Sequence, residues 1–434
     1  MSKSTQILRG AGGIVLISAL AGGALPRSAH ASHAHANTIV TIGVSVPLLQ
    51  LPALATGIAH GVQVAAQQAN AANVLPGVTF KTSIKDDTIK NAVSPQKDAA
   101  NAREFISDST VIGEVGPLNS GAAKGSEAVF NNAGLVQISP ANSNVDLTNP
   151  KLRAKYEPRA ASGHGPVTYF RTVTTDAYQG PSDALFAVKV LHAKRIFVTD
   201  NTDPYGVGLA NAFKAAAKSL GATVLGSGEL DLTQPKLGAD QVAKNIATVS
   251  GGKVDLVFFG GEYDSTTGGA TFLADALKAN GVNTKIMGGD GMFDPAFIKA
   301  SSNGGVLSGY ASNLGPDAVG FAPAAGFRAA EAKAFPGIAI SSYDIEAYDA
   351  ANIIINAYVK AVKAKQITPG KAMNINSRGV IAGLVAQTKN YKGASGTITF
   401  DANGDITSHT FSIYRVTGSG SSAHWVYVGV APQS

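Results

Sequence analysis

The chain has no cysteine among its 434 residues, and that absence excludes several kinds of chemistry. Without a thiol there is no disulfide, no zinc site built on cysteine and no cysteine nucleophile. A lipid attached to an N-terminal cysteine is excluded for the same reason. Any exported form of the protein is therefore expected to be soluble rather than lipid-anchored.

The excess of positive charge is also small. The formal net charge is +6 at pH 7, and Lys3, Arg9 and Arg27 supply three of those charges within residues 1–36, which contain no acid. Residues 37–434 then carry a net charge of +3. The chain shows no basic stripe and no alternation of aromatic with basic residues, so nucleic acid is not expected as a partner.

Residues 1–36 have the layout of a secretory signal peptide. Two basic residues precede an apolar stretch at 11–25, which is followed by small residues with alternating Ala and His. The pattern predicts cleavage after Ala31 or Ala36 and a periplasmic or extracellular protein. The stretch is short for a membrane span, and a retained N-terminal anchor is the alternative.

Residues that could bind a metal ion are few. Three histidines in residues 30–35 fall in the segment predicted to be removed, and no carboxylate lies between them. The acidic turn at 401–405 has Gly404 at its fourth position, whereas a calcium-binding EF-hand loop needs glycine at its sixth. Asn403-Gly404 predicts a hairpin turn instead. No metal site is expected.

Apolar strands and amphipathic helices alternate along the chain. The first series has strands at 39–46, 78–84, 111–115 and 135–138, with helices at 54–73, 95–106 and 120–131. The second has strands at 195–200, 222–226, 254–259 and 285–287, with helices at 206–220, 238–250 and 267–280. Each series predicts a doubly wound parallel sheet with helices on both faces, so the fold class is α/β with two domains.

The rest of the pattern is helical and then returns to strands. Helices are predicted at 323–334, 343–364 and 378–389, before strands at 396–400 and 410–416 around the acidic turn. In the second series, Gly221 and Gly281 are expected to end the two helices that precede them.

The strand-to-helix turn VIGEVGPLNSGAAKG at 111–125 fits no nucleotide-binding pattern. A P-loop needs Lys directly after its last glycine, but Gly121 is followed by two alanines. A dinucleotide pattern at 206–208 lacks its third glycine. No cofactor is expected, and a helix start with Asn119 and Ser120 but no Lys or Arg suits a small carboxylate.

Ligands of open α/β sheets bind beyond the carboxyl ends of the strands. In the first series those ends carry hydroxyl and amide groups that suit a carboxylate, and in the second they carry groups that suit an ammonium. The candidates are Asn119, Ser120 and Ser143 on the first side, and Tyr205, Glu262 and Asp290 on the second. An amino acid has both charges and would bridge the two sides.

Each candidate also has a purely structural interpretation. Ser120 and Ser143 are typical helix caps, and Asp290 between glycines is typical of a turn. Tyr205 can simply pack on the helix that it precedes.

The search for catalytic residues is negative. The predicted strand ends contain no histidine, and the chain has neither a G-x-S-x-G nor an H-E-x-x-H motif. We therefore expect a binding protein that is not an enzyme. A hydrolase that uses Asp290 or Glu262 as its base is the alternative.

Seven motifs occur in the order found in one known family. They are TIGVSVPL at 41–48 with the following GVQVAAQQAN helix, VIGEVGPLNSG, QISPANSNVDLT, YFRTVTTDAYQGP, DPYGVGLANAFK, VDLVFFGGEY and IMGGDGMFD. From about Thr38 to its C-terminus, the chain resembles the periplasmic substrate-binding proteins of branched-chain amino acid ABC transporters, the Leu/Ile/Val-binding type.

The resemblance implies a type I periplasmic binding protein fold, in which three chain crossings join two lobes. The crossings would lie near 171–172, 308–311 and 407–410, so that lobe 1 comprises 37–171 and 311–408, and lobe 2 comprises 172–310 and 409–434. Hinge closure would trap a small ligand. A membrane permease would then recognise the closed form of this protein, which is expected to be a monomer.

The resemblance also assigns roles to residues. Ser120 and Ser143, with backbone at Ala141, would hold the α-carboxylate of an amino acid. Asp290, which replaces a family Glu, would hold the α-ammonium, and Tyr205 would line the cleft.

Besides Asp290, three positions depart from the family pattern. Leu54 stands where an aromatic residue is common, and Gly121 replaces a more usual Ser. Glu262 stands in place of Tyr, unless Tyr263 substitutes after a shift of one residue. A second acid would favour a ligand with extra donors or positive charge. Related binding proteins of this superfamily take up amides, urea or aromatic acids, and these are the alternative ligands. A sensory protein that signals to a membrane receptor is the alternative function.

Overall fold

Two β-sheets organise the part of the chain that the structure describes. The structure is a computed structural model, and it describes residues 37–230, 234–251, 253–263, 269–294, 297–298, 309–317, 319–338 and 341–433. The predicted signal peptide, its cleavage sites and its histidines lie outside these residues, as does the start of the middle crossing at 308.

The first sheet is entirely parallel. Strands β1 to β7 are Thr38–Val46, Val78–Asp86, Thr88–Ile89, Ala92–Val93, Val111–Val115, Gln137–Ser139 and Tyr169–Arg171. Five of them form this sheet in the spatial order β2-β1-β5-β6-β7, and β3 and β4 form a separate short pair. β1 lies inside the sheet because its β-branched residues Ile42, Val44 and Val46 are fully buried.

The second sheet is parallel except at one edge. Strands β8 to β16 are Arg195–Asp200, Thr223–Glu229, Leu256–Gly260, Lys285–Gly288, Gly309–Leu314, Tyr391–Lys392, Thr397–Ile398, Phe411–Thr417 and His424–Val430. Seven of them form this sheet in the order β16-β15-β12-β11-β10-β8-β9, in which β15 and β16 are antiparallel. The predicted doubly wound α/β class is confirmed.

Helices cover both sheets. Helices α1 to α12 are Pro52–Ala71, Pro95–Ser107, Ser120–Ala133, Arg153–Tyr156, Pro158–Ala161, Asp176–Leu185, Pro204–Ser219, Pro235–Ser250, Ala270–Ala279, Ala325–Ala334, Asp344–Lys363 and Ile375–Ala386. α1 packs against β2 and α11 and buries Leu54, Ile58 and Val62. Burial of each such side chain stabilises the fold by about 1.5–3 kcal/mol.

Local sequence signals fix several helix ends. Asp203 caps α7 because its Oδ1 accepts a hydrogen bond from the Tyr205 N–H over 2.9 Å. Ser94 caps α2 in the same way. Gly221, with φ 89°, and Gly281, with φ 69°, follow α7 and α9 in the left-handed conformation, so both predicted helix ends are confirmed.

The C-terminal strands pair differently from the prediction. The strand predicted at 396–400 is the short β14, which pairs with β13, whereas β15 pairs with β12 and β16. Only a single bridge, between Phe400 and Ile406, crosses the acidic turn, where Gly404 has φ 96°. Strand β15 joins the second sheet because partners distant in the chain satisfy its backbone groups there.

The lobe boundaries remain a prediction. Strand β12, which the predicted boundary at residue 311 divides, lies wholly in the second sheet. After β12 the chain returns to the first sheet, where α11 packs on α1 and β5.

Two kinds of feature are absent from the described residues. No helix there is both long enough and apolar enough to cross a membrane. No group of three or more His, Asp or Glu side chains in the same residues is arranged to hold a metal ion.

Candidate functional site

Loops at the carboxyl ends of the two sheets meet across a cleft, and hydrogen bonds join them directly. Asn144 Nδ2, beyond β6, donates to the carbonyl of Pro204 at the start of α7 over 2.6 Å. Ser342 Oγ donates to the carbonyl of Phe293, beyond β11, over 3.1 Å. The strand ends of both series therefore share one crevice, as their order along the chain predicts.

Asp290 is the central acid of the cleft and is 3 % exposed. Its Oδ1 accepts hydrogen bonds from Gln179 Nε2 at 2.8 Å and from Tyr205 OH at 3.0 Å. Its Oδ2 accepts one from Tyr343 OH at 2.5 Å. Burial raises the pKa of the Asp290 carboxyl, and these three hydrogen bonds oppose the rise because they stabilise its charged form. The described side-chain donors to this carboxylate, Gln179, Tyr205 and Tyr343, are all neutral.

The glycines beside Asp290 leave room for Tyr205. A Cβ on Gly289 would lie 2.7 Å from Tyr205 OH, and one on Gly291 would lie 2.9 Å from Tyr205 Cε1. The Gly291 N–H donates to the same hydroxyl over 3.1 Å. Asp290 does begin a short 3₁₀ turn, but the Gly-Asp-Gly sequence also brings the backbone against the tyrosine ring.

The opposite wall is the start of α3. Asn119 and Ser120 are both buried there, and the Asn119 side chain does not cap the helix. Ser120 Oγ accepts a weak hydrogen bond from the Asn144 N–H at 3.4 Å. The N–H groups in the first turn of a helix have no partner within the helix, and the helix dipole favours an anion beside them. Ala141 lies beside this wall, and its N–H donates to Ser139 Oγ.

Glu262 connects the two walls. Its Oε1 accepts a hydrogen bond from Asn119 Nδ2 at 3.0 Å, and its Oε2 accepts one from Asn201 Nδ2 at 2.5 Å. Asn119 follows β5 of the first sheet and Asn201 follows β8 of the second, so this carboxylate bridges the cleft. Tyr263, the alternative in the sequence, is buried but does not line the cavity.

A small cavity lies between these groups. Its lining comprises Leu54, Leu118, Asn119, Ser120, Ala141, Tyr205, Glu262, Asp290, Gly291 and Tyr343. Seven of the eight candidates from the sequence are therefore together. The free space is about 20 Å³ for the centre of a water molecule, which is little more than one water needs. An amino acid can enter only if the two walls separate.

Ser143 is the candidate that does not line the cavity. It is fully buried, and its carbonyl accepts a hydrogen bond from the Asp176 N–H over 2.9 Å. Burial raises the pKa of the Asp176 carboxyl to about 8, and the Ser143 hydroxyl opposes that rise. Ser143 therefore faces the start of α6 in this closed arrangement.

Three polar side chains of the site were not predicted, and neither was the apolar Leu118. Tyr343 precedes α11 in the left-handed conformation, with φ 70°, and Gln179 lies within α6. Neither belongs to a loop that follows a parallel strand, so the strand-end rule could not find them. Asn201 directly follows the strand predicted at 195–200, and that position was an available signal.

Sequence comparisons agree with this geometry. A family model described as periplasmic binding protein matches residues 40–421. The Leu/Ile/Val-binding protein BraC3 of Rhizobium johnstonii is 28 % identical over 393 residues, which cover 89 % of this chain and 94 % of that protein. The Leu/Ile/Val-binding protein homolog 3 of Brucella melitensis is 25 % identical over 390 residues, which cover 89 % of this chain and 93 % of that protein.

Solved structures share the fold. One is the branched-chain amino acid transporter substrate binding protein LivJ of Streptococcus pneumoniae, in complex with isoleucine. Its TM-score is 0.69 at 21 % identity, and the match covers 90 % of this chain and 100 % of that chain. Another is a solute binding protein of R. palustris in complex with 4-hydroxybenzoate, which has a TM-score of 0.71 at 15 % identity. That match covers 91 % of this chain and 98 % of that chain. Identities this low establish the architecture and leave the ligand open.

Proposed function

Because the chain belongs to the periplasmic binding protein family, we propose that it captures a small amino acid in its cleft and delivers it to an ABC importer. A branched-chain amino acid is the first candidate, and the names of its relatives support that choice. The protein would act outside the cytoplasm as a monomer, after removal of residues 1–36. It would release its ligand unchanged to a permease in the membrane.

The observation that carries this proposal is the pair of unlike walls around one cavity. The ligand's α-ammonium would pair with Asp290, which already accepts hydrogen bonds from neutral donors. The α-carboxylate would lie against Ser120, the first turn of α3 and backbone at Ala141, with Ser143 close behind. Leu54 supplies apolar surface for a side chain. Closure excludes water and strengthens both charge interactions.

An amide is the second candidate, and Glu262 is the observation that favours it. This carboxylate lines the cavity beside Asp290 and supplies acceptors that an amide NH₂ group could use. An aromatic acid fits less well, because two carboxylates oppose a ligand whose only charge is negative and no described lining residue is a cation. A sensory receptor is the alternative membrane partner; permease and ATPase genes next to the coding gene would favour the importer.

Calorimetry on the purified protein, unfolded and refolded to remove any bound molecule, tests the proposal. Titration with leucine, isoleucine, valine, smaller amino acids, amides, urea and 4-hydroxybenzoate is expected to give one ligand with a Kd of about 1 μM or below. Asp290→Asn should lose at least about 30-fold in affinity, because it removes the charge that is proposed to pair with the α-ammonium.

Glu229→Gln is the matched control, since Glu229 is an exposed acid on the outer strand β9. It should bind like the unmodified protein. If no compound of the panel binds, the proposed function is contradicted. Normal binding by Asp290→Asn would show that the ligand lies in another orientation.

A further inference from the structure

A second and much larger cavity lies beside the segments that connect the two sheets. Its volume is about 560 Å³, and it shares no lining residue with the cleft. We call it the hinge cavity, because residues of the three connecting segments line it together with the β13–β14 region; these residues are 172–174, 315–316, 406–408 and 410. Cavities of this size hold small-molecule ligands in many proteins.

The lining of the hinge cavity combines one carboxylate with many hydroxyl groups. Glu346, in the first turn of α11, is the only ionisable side chain among the described lining residues, and serine and threonine make up about half of that lining. Glu346 is 3 % exposed. Its carboxylate borders Gly315, where a Cβ would lie 3.0 Å from Oε1.

The Glu346 carboxylate lacks a cationic partner in the described part of the chain. No side chain there donates a hydrogen bond to it, although Thr172 Oγ1 donates to the Glu346 backbone carbonyl at 3.0 Å. The Arg328 guanidinium forms ion pairs with Asp344 and Glu331, and its charge partly opposes the rise in the pKa of Glu346. Burial and the nearby Asp344 and Asp349 disfavour the charged form of Glu346 and raise its pKa.

Several hydroxyl groups around this carboxylate have fixed orientations. Thr174 Oγ1 is hydrogen-bonded to His409 Nδ1 at 2.8 Å, and Thr399 Oγ1 accepts from the Asn390 N–H at 2.9 Å. Ser395 Oγ donates to Asp349 Oδ2 at 2.6 Å. Each hydroxyl oxygen keeps further hydrogen-bonding capacity that can face the cavity.

We propose that the hinge cavity is a second binding site, which takes a small hydroxylated ammonium such as an amino alcohol or amino sugar. The ammonium would pair with Glu346, and the ligand hydroxyls would bond to the threonine and serine side chains. Anions are disfavoured because the lining offers a carboxylate and no described cation.

Binding in the hinge cavity would be coupled to closure of the cleft. An occupant would contact all three connecting segments, so it would bind one hinge angle more tightly than another. The start of α11 is common to both cavities, because Tyr343 lines the cleft and Glu346 lines the hinge cavity. By linkage, each ligand would change the affinity of the other by the same factor.

Calorimetric titration of the whole protein with ethanolamine, tris(hydroxymethyl)aminomethane and D-glucosamine tests this site, with D-glucose as the neutral match to glucosamine. At least one ammonium probe should bind with a Kd below about 1 mM, and glucosamine should bind at least about tenfold more tightly than glucose. Glu346→Gln should lose about tenfold in affinity for the probe, whereas Glu104→Gln, an exposed acid on α2, should lose nothing.

Two more variants locate the probe. Thr397→Trp places a large ring at the exposed rim of the hinge cavity and should block binding, while Asp290→Asn should leave it intact. Unchanged thermal unfolding of Glu346→Gln would show that the variant is folded. Equal affinity for glucose and glucosamine, full binding by Glu346→Gln, or loss of binding in Asp290→Asn would each overturn the proposal.

Discussion

At the scale of single residues, the proposed function depends on how Asp290 is held. Tyr343→Phe removes the hydroxyl that donates to Asp290 Oδ2 and changes little else in shape. We expect the affinity for the cleft ligand to fall by about 1–3 kcal/mol, because a buried carboxylate loses a donor. The pKa of Asp290 should rise further. As the pH falls, Asp290 should therefore become protonated, and ligand binding should weaken, at a higher pH than in the unmodified protein. Calorimetry between pH 4 and 8 measures both effects.

Tyr348→Phe provides the matched control for that experiment. Tyr348 lies in α11, the helix that Tyr343 precedes, and its hydroxyl donates to Gln68 Oε1 at 2.6 Å, outside the cleft. This variant should keep the normal affinity and pH profile. If Tyr343→Phe behaves in the same way as Tyr348→Phe, then the Tyr343 hydroxyl does not position Asp290 for binding.

Residue types at strand ends could be predicted, but their partners could not. Asp290, Glu262 and Ser120 were found because each follows a buried parallel strand. Tyr343 belongs to a segment between two helices, and only the packing of α11 against the first sheet carries it to the cleft. A sequence pattern that is local in the chain has no means of reporting such a long-range contact.

At the scale of elements, buried acids join β1 to α2 and make stability depend on pH. Ser45 Oγ donates to Asp98 Oδ1 at 2.5 Å, and Asn101 Nδ2 donates to Ser45 Oγ at 3.0 Å. Burial raises the pKa of Asp98 from 3.8 to about 6. Burial also raises the pKa of the neighbouring Asp87 and Glu114. The folded state thus holds protons that the unfolded chain releases.

The sign of the effect follows from that difference. Between the unfolded and folded pKa values the native state binds more protons, so the free energy of unfolding falls as pH rises. The stabilisation of the folded state by protonated Asp98 is complete below pH 3.8, and it is lost as the pH rises past about 6. The loss is about 3 kcal/mol for a shift of this size.

Asp98→Asn removes this titration. The variant should show a smaller fall in stability between pH 4 and pH 7, and urea unfolding at several pH values measures the slope. Asp401→Asn, in the exposed turn, is the control and should keep the full pH dependence. An unchanged slope in Asp98→Asn would mean that other buried acids carry the effect.

Elements with strong local signals were predicted well, and those that depend on distant partners were not. The helices that end at Gly221 and Gly281 have a cap that the sequence shows directly. The C-terminal strand His424–Val430 is exposed over much of its length and forms only because β15 offers an antiparallel edge. The strand predicted at 396–400 shortened because its neighbours in space supply little backbone pairing.

At the scale of the whole molecule, the closed cleft must open before a ligand can enter. Gly121 in α3 and Asp203 at the start of α7 lie on opposite walls, and a Cβ on Gly121 would be 3.9 Å from Asp203 Cγ. A cysteine pair at these positions is within reach of a disulfide. Because the chain has no other cysteine, an intramolecular disulfide can form only there.

The double variant Gly121→Cys with Asp203→Cys should therefore lock the cleft when oxidised. Protein oxidised without ligand should fail to bind the amino acid in a titration, because the cavity has room for about one water molecule. Protein oxidised with ligand present should retain it through dialysis, and mass spectrometry of the reduced sample should then detect its release. Each single variant under the same oxidant should bind and release normally, which separates the lock from the loss of the Asp203 cap. If the oxidised, ligand-free protein binds as fast as the reduced protein, ligand enters without separation of the walls and capture by hinge closure is wrong.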